Sequence, residues 1–277
     1  MTARLLPAFL CLLAIIPLQA APGPEVSAKS AILVDANTGK VLYSKNDEAK
    51  RPVASTQKLL TALLVAEAGN LDKRVEIEAT DTNCEPTKIY VKPGQSYTRL
   101  QLLNALLVKS GNDVARTLAR DNAGSVSAFA DKMTQRVRSL GGTSSNFENP
   151  NGLPAQGQYS TARDMARVAR MAYRNPTLRE IMRTKNYNFR FNSGNVVPLR
   201  NTNRVLRTYS FCNGMKTGYT DLAGHCLISS GSYNGRDVIA VVLGSTKARI
   251  ADESAKLLAY GLKIPSSKLG ALRISQN

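Results

Sequence analysis

Histidine is scarce in this chain, and its scarcity excludes some kinds of active site. Among 277 residues there is a single histidine, His225. A Ser-His-Asp triad needs a histidine, but His225 falls in a predicted strand and the chain has no Gly-x-Ser-x-Gly motif. We therefore assign His225 a structural role. Clustered metal ligands are also lacking, and no Gly-rich phosphate loop follows a strand, so we expect neither a metal nor another cofactor.

Cysteine is also rare, with four residues in the whole chain. Cys11 belongs to the N-terminal apolar run, which leaves Cys84, Cys212 and Cys226. An odd number at irregular spacing forms neither a disulfide framework nor a zinc site. The sequence is compatible either with one disulfide bond or with three free thiols.

Long apolar runs are absent beyond the N-terminus. Arg4 precedes an apolar run over residues 5–18, and small residues follow it. This pattern predicts a secretory signal peptide over residues 1–20. The run is too short for a membrane span and is broken by Pro7 and Pro17. We expect an exported protein with at most peripheral membrane contact.

Acidic residues are few, since 37 lysines and arginines outnumber 20 aspartates and glutamates and give a net charge of +17. Such an excess favours anionic partners such as a lipid surface or an anionic wall polymer. Nucleic acid is not expected, because the chain is exported and has no recognition motif. A solvated basic surface without a partner explains the charge equally well.

Hydrophobic periodicity and turn residues predict strands at both ends of the chain and helices between them. Two strands, residues 30–35 and 40–43, form an opening hairpin, and residues 71–98 are irregular. The predicted helices cover residues 55–68, 100–108, 113 onward, 126–140, 160–173, 177–183 and 251–260. The later strands cover residues 215–219, 224–230 and 238–244. This order predicts an α+β fold with a helical insertion at about residues 70–185.

Ser55 and Lys58 form a Ser-x-x-Lys motif at the start of the predicted helix 55–68. Ser55 suits a helix cap. Residues three apart lie on one side of a helix, which brings a hydroxyl beside an amine. Serine becomes a nucleophile when a base takes its proton, and a lysine is such a base once burial or nearby positive charge lowers its pKa. Taken alone, the motif is better explained by a cap serine followed by a solvated lysine than by a nucleophile and its base.

Two further motifs follow in chain order, Ser110-Gly111-Asn112 and Lys216-Thr217-Gly218. The trio is typical of penicillin-binding proteins and class A β-lactamases. The second motif offers a hydroxyl and an amide in a loop between helices. The third places a lysine on a strand, where its charge helps to keep Lys58 neutral and attracts a carboxylate.

At these residues the chain resembles the serine D-alanyl-D-alanine carboxypeptidases, the low-molecular-weight penicillin-binding proteins. The resemblance runs from about residue 31 to residue 261. Besides the trio it is carried by Ile32–Asp35 with Gly39–Leu42, Gly157–Ala166, Leu199–Asn203 and Gly214–Thr220. It implies a β-lactamase/DD-peptidase-like fold, in which helices flank an antiparallel sheet and an all-helical subdomain is inserted. We expect one catalytic domain over residues 21–277, without the C-terminal β-rich domain of many relatives.

The resemblance also implies roles for the matching residues. Ser55 would be the nucleophile, Lys58 the general base, and Ser110 the group that passes the proton to the leaving amine. The backbone N–H groups of Ser55 and Tyr219 would form the oxyanion hole. The implied substrate-binding residues are Asn112, Lys216, Thr217, Gly218, Tyr219 and Arg249. The family usually has histidine where Asn151 stands, which leaves the role of that loop open.

The implied activity is removal of the terminal D-alanine from peptidoglycan stem peptides in the periplasm or at the outer face of a bacterial envelope. β-Lactam antibiotics would be covalent inhibitors, and the enzyme would be a monomer. A DD-endopeptidase or transpeptidase would share the acyl-enzyme, and a catalytically idle wall-binding protein is an alternative of another class. A β-lactamase would also need a glutamate for fast deacylation. The surroundings of the nearest candidate, Glu148, do not match such a motif, and we assign it a structural role.

Overall fold

The computed structural model describes residues 23–274, so the predicted signal peptide lies outside the described residues. The described chain contains both helices and strands, and every strand pair is antiparallel. The helices are α1 Lys58–Glu67, α2 Ala79–Thr82, α3 Arg99–Lys109, α4 Asn112–Ala123, α5 Val126–Ser139, α6 Ala162–Arg174, α7 Pro176–Arg183, α8 Arg204–Thr208 and α9 Ile250–Leu262. The strands are β1 Ser30–Asp35, β2 Val41–Lys45, β3 Arg74–Glu76, β4 Ser96–Thr98, β5 Asn186–Arg190, β6 Val196–Arg200, β7 Cys212–Thr220, β8 Gly224–Tyr233 and β9 Arg236–Ser245.

A five-stranded antiparallel sheet in the order β2-β1-β9-β8-β7 organises the molecule. The N-terminal hairpin therefore pairs through β1 with β9, the last strand in the described part of the chain. The turn of this hairpin is closed by the Asp35 carboxylate, which accepts hydrogen bonds from the backbone N–H groups of Asn37 and Thr38. Gly39 completes the turn at a φ of 82°, a left-handed conformation that glycine adopts without strain. The predicted α+β class and the hairpin are confirmed.

Successive side chains of a strand point to opposite faces of the sheet, and here both faces are buried. In β1, Ile32 and Val34 belong to one core, whereas Ala31 and Leu33 belong to the other. Helix α9 covers the second face, and the helices between β2 and β7 bury most of the first core. The sheet is thus the middle layer of the molecule, and its edge strand β7 is left beside the start of α1.

The stretch 71–98 contains two short strands that were not predicted. Arg74 pairs with Thr98, and Glu76 with Ser96, so that β3 and β4 form a small antiparallel sheet. Each strand has three residues, and no tight turn joins them. Strands are predicted from alternating apolar and polar residues and from the turn residues that join them. Strands this short, joined by a long connection, show little of either pattern.

The start of the central helix differs from the prediction. Ser55 lies inside a 3₁₀ turn, Ala54–Gln57, and makes no side-chain capping bond; α1 begins at Lys58. Ala54 has a φ of 48°, a left-handed conformation that alanine rarely adopts. The turn therefore directs the Ser55 hydroxyl away from a capping position.

Cys84, Cys212 and Cys226 are all free thiols in the structure. None of the helices in the described part of the chain is both long and apolar enough to cross a membrane.

Candidate active site

Ser55 and Lys58 are in direct contact, as their spacing predicts. The Lys58 Nζ lies 2.8 Å from the Ser55 Oγ, and the lysine side chain is fully buried. The 3₁₀ turn continues into α1 without a break, so residues 55 and 58 remain on one side. A buried amine thus stands within hydrogen-bond distance of a half-buried hydroxyl, the arrangement that a nucleophile and its base require.

Two other oxygen atoms hold the Lys58 amine in place. Its Nζ lies 2.7 Å from the Asn112 Oδ1 and 2.7 Å from the Asn151 carbonyl oxygen. A neutral amine has two N–H donors and one lone pair. When the donors serve these two oxygens, the lone pair is left facing the Ser55 hydroxyl.

The environment of Lys58 disfavours its charged form. Burial is the main cause that lowers its pKa well below the ordinary value of 10.5, and the positive charge of Lys216 lowers it further. Lys216 is also fully buried, and burial lowers its pKa to about 7. Since both amines resist protonation, Lys58 is able to act as a base near neutral pH.

The Ser110-Gly111-Asn112 motif connects two helices. Ser110 directly follows the last residue of α3 and has a φ of 74°, and Asn112 begins α4. The Asn112 backbone N–H donates to the Thr87 carbonyl oxygen at 2.7 Å, and its Nδ2 donates to the Glu85 carbonyl oxygen at 2.8 Å. The side-chain oxygen of Asn112 is thereby aimed at Lys58, while Ser110 lines the same cleft as Ser55.

Strand β7 brings the third motif to the nucleophile. A Cβ added to Gly218 would lie 2.8 Å from the Ser55 backbone nitrogen and 2.9 Å from that of Thr56, so only glycine permits this approach. The Thr217 Oγ1 is hydrogen-bonded to the Thr202 Oγ1 at 2.6 Å. Lys216 Nζ donates to the Thr217 carbonyl oxygen at 2.8 Å.

These residues line a cleft with a volume of about 510 Å³. Of the predicted site residues, Ser55, Ser110, Thr217, Gly218 and Tyr219 line it directly. Lys58 and Lys216 are buried behind it, and Lys58 holds Asn112 by a hydrogen bond. The structure therefore brings eight of the nine predicted residues together.

Arg249 is the predicted residue that the structure does not place in the cleft. It is exposed at the start of α9 and is not among the lining residues. Lys247, two residues earlier, does line the cleft, together with Arg204 and Lys109. Ile250 and Ala251, which follow Arg249, also line the cleft, and a role for Arg249 in carboxylate binding stays a prediction.

His225 also lines the cleft, where the ring of Tyr219 stacks on it with centroids 4.4 Å apart. Burial lowers the pKa of His225, and the charge of Lys247 lowers it further. A neutral ring stacked under an exposed tyrosine fits the structural role that the sequence suggests. Glu148 is exposed and accepts a hydrogen bond from Asn146, outside the cleft.

The sequence alone missed the role of the 149–153 loop. Asn151 contacts Lys58 through its backbone carbonyl oxygen, which any residue would supply. Gly152 has a φ of 86°, and an added Cβ would lie 2.1 Å from the Ala54 carbonyl oxygen. The Asn-Gly pair was the sequence signal that could have identified this loop. Such a pair favours a turn with a left-handed backbone, and its glycine allows another segment of the chain to approach closely.

Comparisons with known proteins identify the relatives of this chain. The family model for peptidase S11, D-alanyl-D-alanine carboxypeptidase, matches residues 18–247. The chain is 34% identical to D-alanyl-D-alanine carboxypeptidase DacB2 of Mycobacterium tuberculosis, over 92% of this chain and 90% of that protein. It is 35% identical to D-alanyl-D-alanine carboxypeptidase DacF of Bacillus subtilis, over 79% of this chain.

A solved D-alanyl-D-alanine carboxypeptidase from M. tuberculosis superimposes with a TM-score of 0.84 at 32% identity, covering 90% of this chain and 96% of that one. The chain spans only 58% of the B. subtilis relative. The family match and the M. tuberculosis relative together cover most of the sequence. The chain therefore belongs to the D-alanyl-D-alanine carboxypeptidase family, peptidase S11.

Proposed function

We propose that this protein is a serine DD-carboxypeptidase that removes the terminal D-alanine from peptidoglycan stem peptides through an acyl-enzyme. The observation that carries the proposal is the Lys58 amine, fully buried and 2.8 Å from the Ser55 hydroxyl, with its two other contacts made to fixed oxygen atoms. Buried lysines are rare without a partner charge, and this one touches a serine at the wall of a cleft. Family membership supports the same reading.

In the proposed acylation, Lys58 takes the proton of Ser55 while the Oγ attacks the carbonyl carbon of the penultimate D-alanine. The backbone N–H groups of Ser55 and Tyr219 would stabilise the oxyanion, as preorganised donors do. The C–N bond then breaks, and Ser110 passes the proton to the departing amine. Water hydrolyses the ester and restores the Ser55 hydroxyl.

Strand β7 supplies the proposed binding surface. It is an edge strand of the five-stranded sheet, so an extended peptide has room to lie along its outer side. Gly218 keeps that strand close to Ser55, and Asn112 would hold the substrate amide. Lys216 and the Thr217 hydroxyl would face the carboxylate of the terminal D-alanine.

We also propose a domain arrangement and a cellular location. Residues 1–20 would be a cleaved signal peptide, and residues 21–277 one catalytic domain with a helical insertion at about residues 70–185. The enzyme would act in the periplasm or at the outer face of the envelope, where its substrate lies. Membrane contact would be peripheral at most.

Penicillin labelling tests the proposal. Benzylpenicillin should add its mass to the mature protein on the Ser55 peptide and remain bound for hours, and Ser55→Ala should remove both the adduct and carboxypeptidase activity. Lys58→Ala should keep the fold and slow acylation by about 10²- to 10⁴-fold, the usual worth of a general base. Mass spectrometry over time measures both.

The other outcomes of this experiment are equally definite. An adduct that disappears within seconds would indicate a β-lactamase. No adduct, with stem peptides left intact, would favour the idle wall-binding protein. An adduct that survives in Ser55→Ala would remove Ser55 as the nucleophile.

A further inference from the structure

His225 lines the cleft but has no role in the proposed mechanism. It lies on β8 directly opposite Tyr219 of β7, and the two rings stack with centroids 4.4 Å apart and planes 30° apart. Tyr219 is 54% exposed, and its hydroxyl donates to the Asp221 carboxylate at 2.6 Å. The tyrosine ring is thus held on one face by His225 and at its tip by Asp221.

The position of Tyr219 on an edge strand makes this stack important for its backbone. Within the described five-stranded sheet, β7 pairs with β8 alone, so the backbone groups on its outer side have no ladder partner. The Tyr219 N–H must be one of these outward groups if it is an oxyanion donor. A residue whose N–H points outward forms no ladder bond with the residue opposite it, and the side chains of such a pair come closer together. The ring contact therefore holds this pair where backbone hydrogen bonds do not.

A β-bulge lies beside His225 on the other side of β8. His225 is paired with Ser245 of β9, whereas Leu227 is paired with Val242, so β9 has one extra residue between these two pairs. Gly244 has a φ of 71° there, a left-handed conformation that suits glycine. Bulges redirect side chains and are frequent next to active sites. This bulge gives the imidazole ring a direction of its own within the strand.

The same segment of β7 meets the nucleophile on its other side. A Cβ added to Gly218 would lie 2.8 Å from the Ser55 backbone nitrogen, so the strand already touches the turn at that residue. Residues 218 and 219 are therefore held between the Ser55 turn and the His225 ring. The spacing of the two proposed oxyanion donors, the N–H groups of Ser55 and Tyr219, depends on both contacts.

We propose that His225 is a positioning residue for the oxyanion hole. This inference rests on the proposed function. By stacking on Tyr219, the imidazole ring fixes the Tyr219 backbone N–H at the point where negative charge develops on the carbonyl oxygen. Stacking needs a flat ring and no charge, so no proton moves to or from His225. The ring acts through Tyr219 and touches no reacting atom.

Acylation by benzylpenicillin measures this role when the rate at saturation is separated from the affinity. In His225→Ala the saturating rate should fall about 10-fold, a part of the roughly 10²- to 10³-fold that the loss of a whole oxyanion donor costs. The concentration that gives half of this rate should change by less than about 2-fold, because the oxyanion forms only during the reaction. His225→Phe should restore the rate because it keeps a flat ring, and His225→Leu should not.

A double-mutant cycle with Tyr219→Ala tests whether His225 acts through that residue. Once Tyr219→Ala has removed the stack, adding His225→Ala should have little further effect on the saturating rate. Tyr209→Ala is the matched control, since it breaks a stack on Phe211 with centroids 5.0 Å apart, and neither residue lines the cleft. This control should leave acylation unchanged, and urea unfolding shows that each variant is folded under the assay conditions.

The inference is overturned if His225→Ala acylates at the natural rate, which would leave His225 a purely structural residue. It is also overturned if the effects of the two single variants multiply in the double variant. A third contrary result is a pH profile of the saturating rate that differs between His225→Phe and the natural chain, since the imidazole would then exchange a proton. Failure of the proposed function gives a different pattern, in which benzylpenicillin does not acylate Ser55 even in the natural chain and a pentapeptide ending in D-Ala-D-Ala stays intact.

Discussion

At the scale of single residues, Lys216 serves the chemistry of the site but lowers the stability of the folded chain. The side chain is fully buried, and its only hydrogen bond within the described chain is to the carbonyl oxygen of the next residue. Burial lowers its pKa from the ordinary 10.5 to about 7. An unfolded lysine is protonated below 10.5, so between pH 7 and 10.5 the unfolded chain binds more protons here than the folded one. The contribution of Lys216 to the free energy of unfolding therefore rises with pH between 7 and 10.5.

Lys216→Met is expected to make the protein more stable and less active. Replacing a buried charge by an apolar side chain of similar volume gains roughly 1–4 kcal/mol, and the gain in unfolding free energy should be largest at pH 6 and smaller at pH 9. Acylation by benzylpenicillin should slow, because Lys58 loses the neighbouring charge that lowers its pKa. Urea unfolding at both pH values measures the first effect.

The exposed Lys185 provides the control, since Lys185→Met should leave stability and acylation unchanged. A Lys216→Met protein less stable than the natural chain at pH 6 would contradict the argument.

At the scale of elements, the site depends on how closely β7 approaches the 3₁₀ turn at Ser55. Gly218 makes that approach possible, since an added Cβ would lie 2.8 Å from the Ser55 backbone nitrogen. Backbone atoms cannot rotate away as a flexible side chain does. A methyl group there must push the strand and the turn apart.

Gly218→Ala is therefore expected to slow acylation on the order of 10- to 100-fold, because small displacements of reacting groups have large effects on rate. The loss of unfolding free energy should be about 1–3 kcal/mol, the usual cost of overpacking, since the added methyl group meets only the turn at residues 54–56. Gly270→Ala, where an added Cβ meets no atom within 4 Å, is the matched control. Equal acylation rates in the two variants would show that the approach is not critical.

The elements also show what the sequence could predict. Most helices and the long strands carry strong periodicity, and the three motifs lie where the pattern predicts. The 3₁₀ turn at Ser55 was missed because a serine before an apolar run looks like a cap. The Asn151 contact was missed because a backbone carbonyl carries no side-chain signature.

At the scale of the whole molecule, the two ends of the described chain are joined. Glu253 on α9 accepts hydrogen bonds from the backbone N–H groups of Ser27 and Ala28 and from the hydroxyls of Ser27 and Ser245. Burial alone would raise the pKa of Glu253, but these bonds outweigh it and lower the pKa from 4.5. The carboxylate thus links the N-terminal segment, β9 and α9 across more than 220 residues.

This link makes part of the stability dependent on pH. A carboxyl whose pKa is lowered on folding stabilises the protein above about 4.5, its unfolded value, and this contribution is lost as the pH falls through the folded pKa.

Glu253→Gln should therefore lower the unfolding free energy by about 2–3 kcal/mol at pH 7, since hydrogen bonds to a charged group are lost and an N–H donor faces other donors. The difference should shrink below pH 4, where the natural glutamate is increasingly protonated. Urea unfolding at pH 7 and pH 3.5 measures it, with the exposed neighbour changed in Asp252→Asn as the control. If Glu253→Gln loses the same amount at both pH values, the link depends on packing and not on the charge.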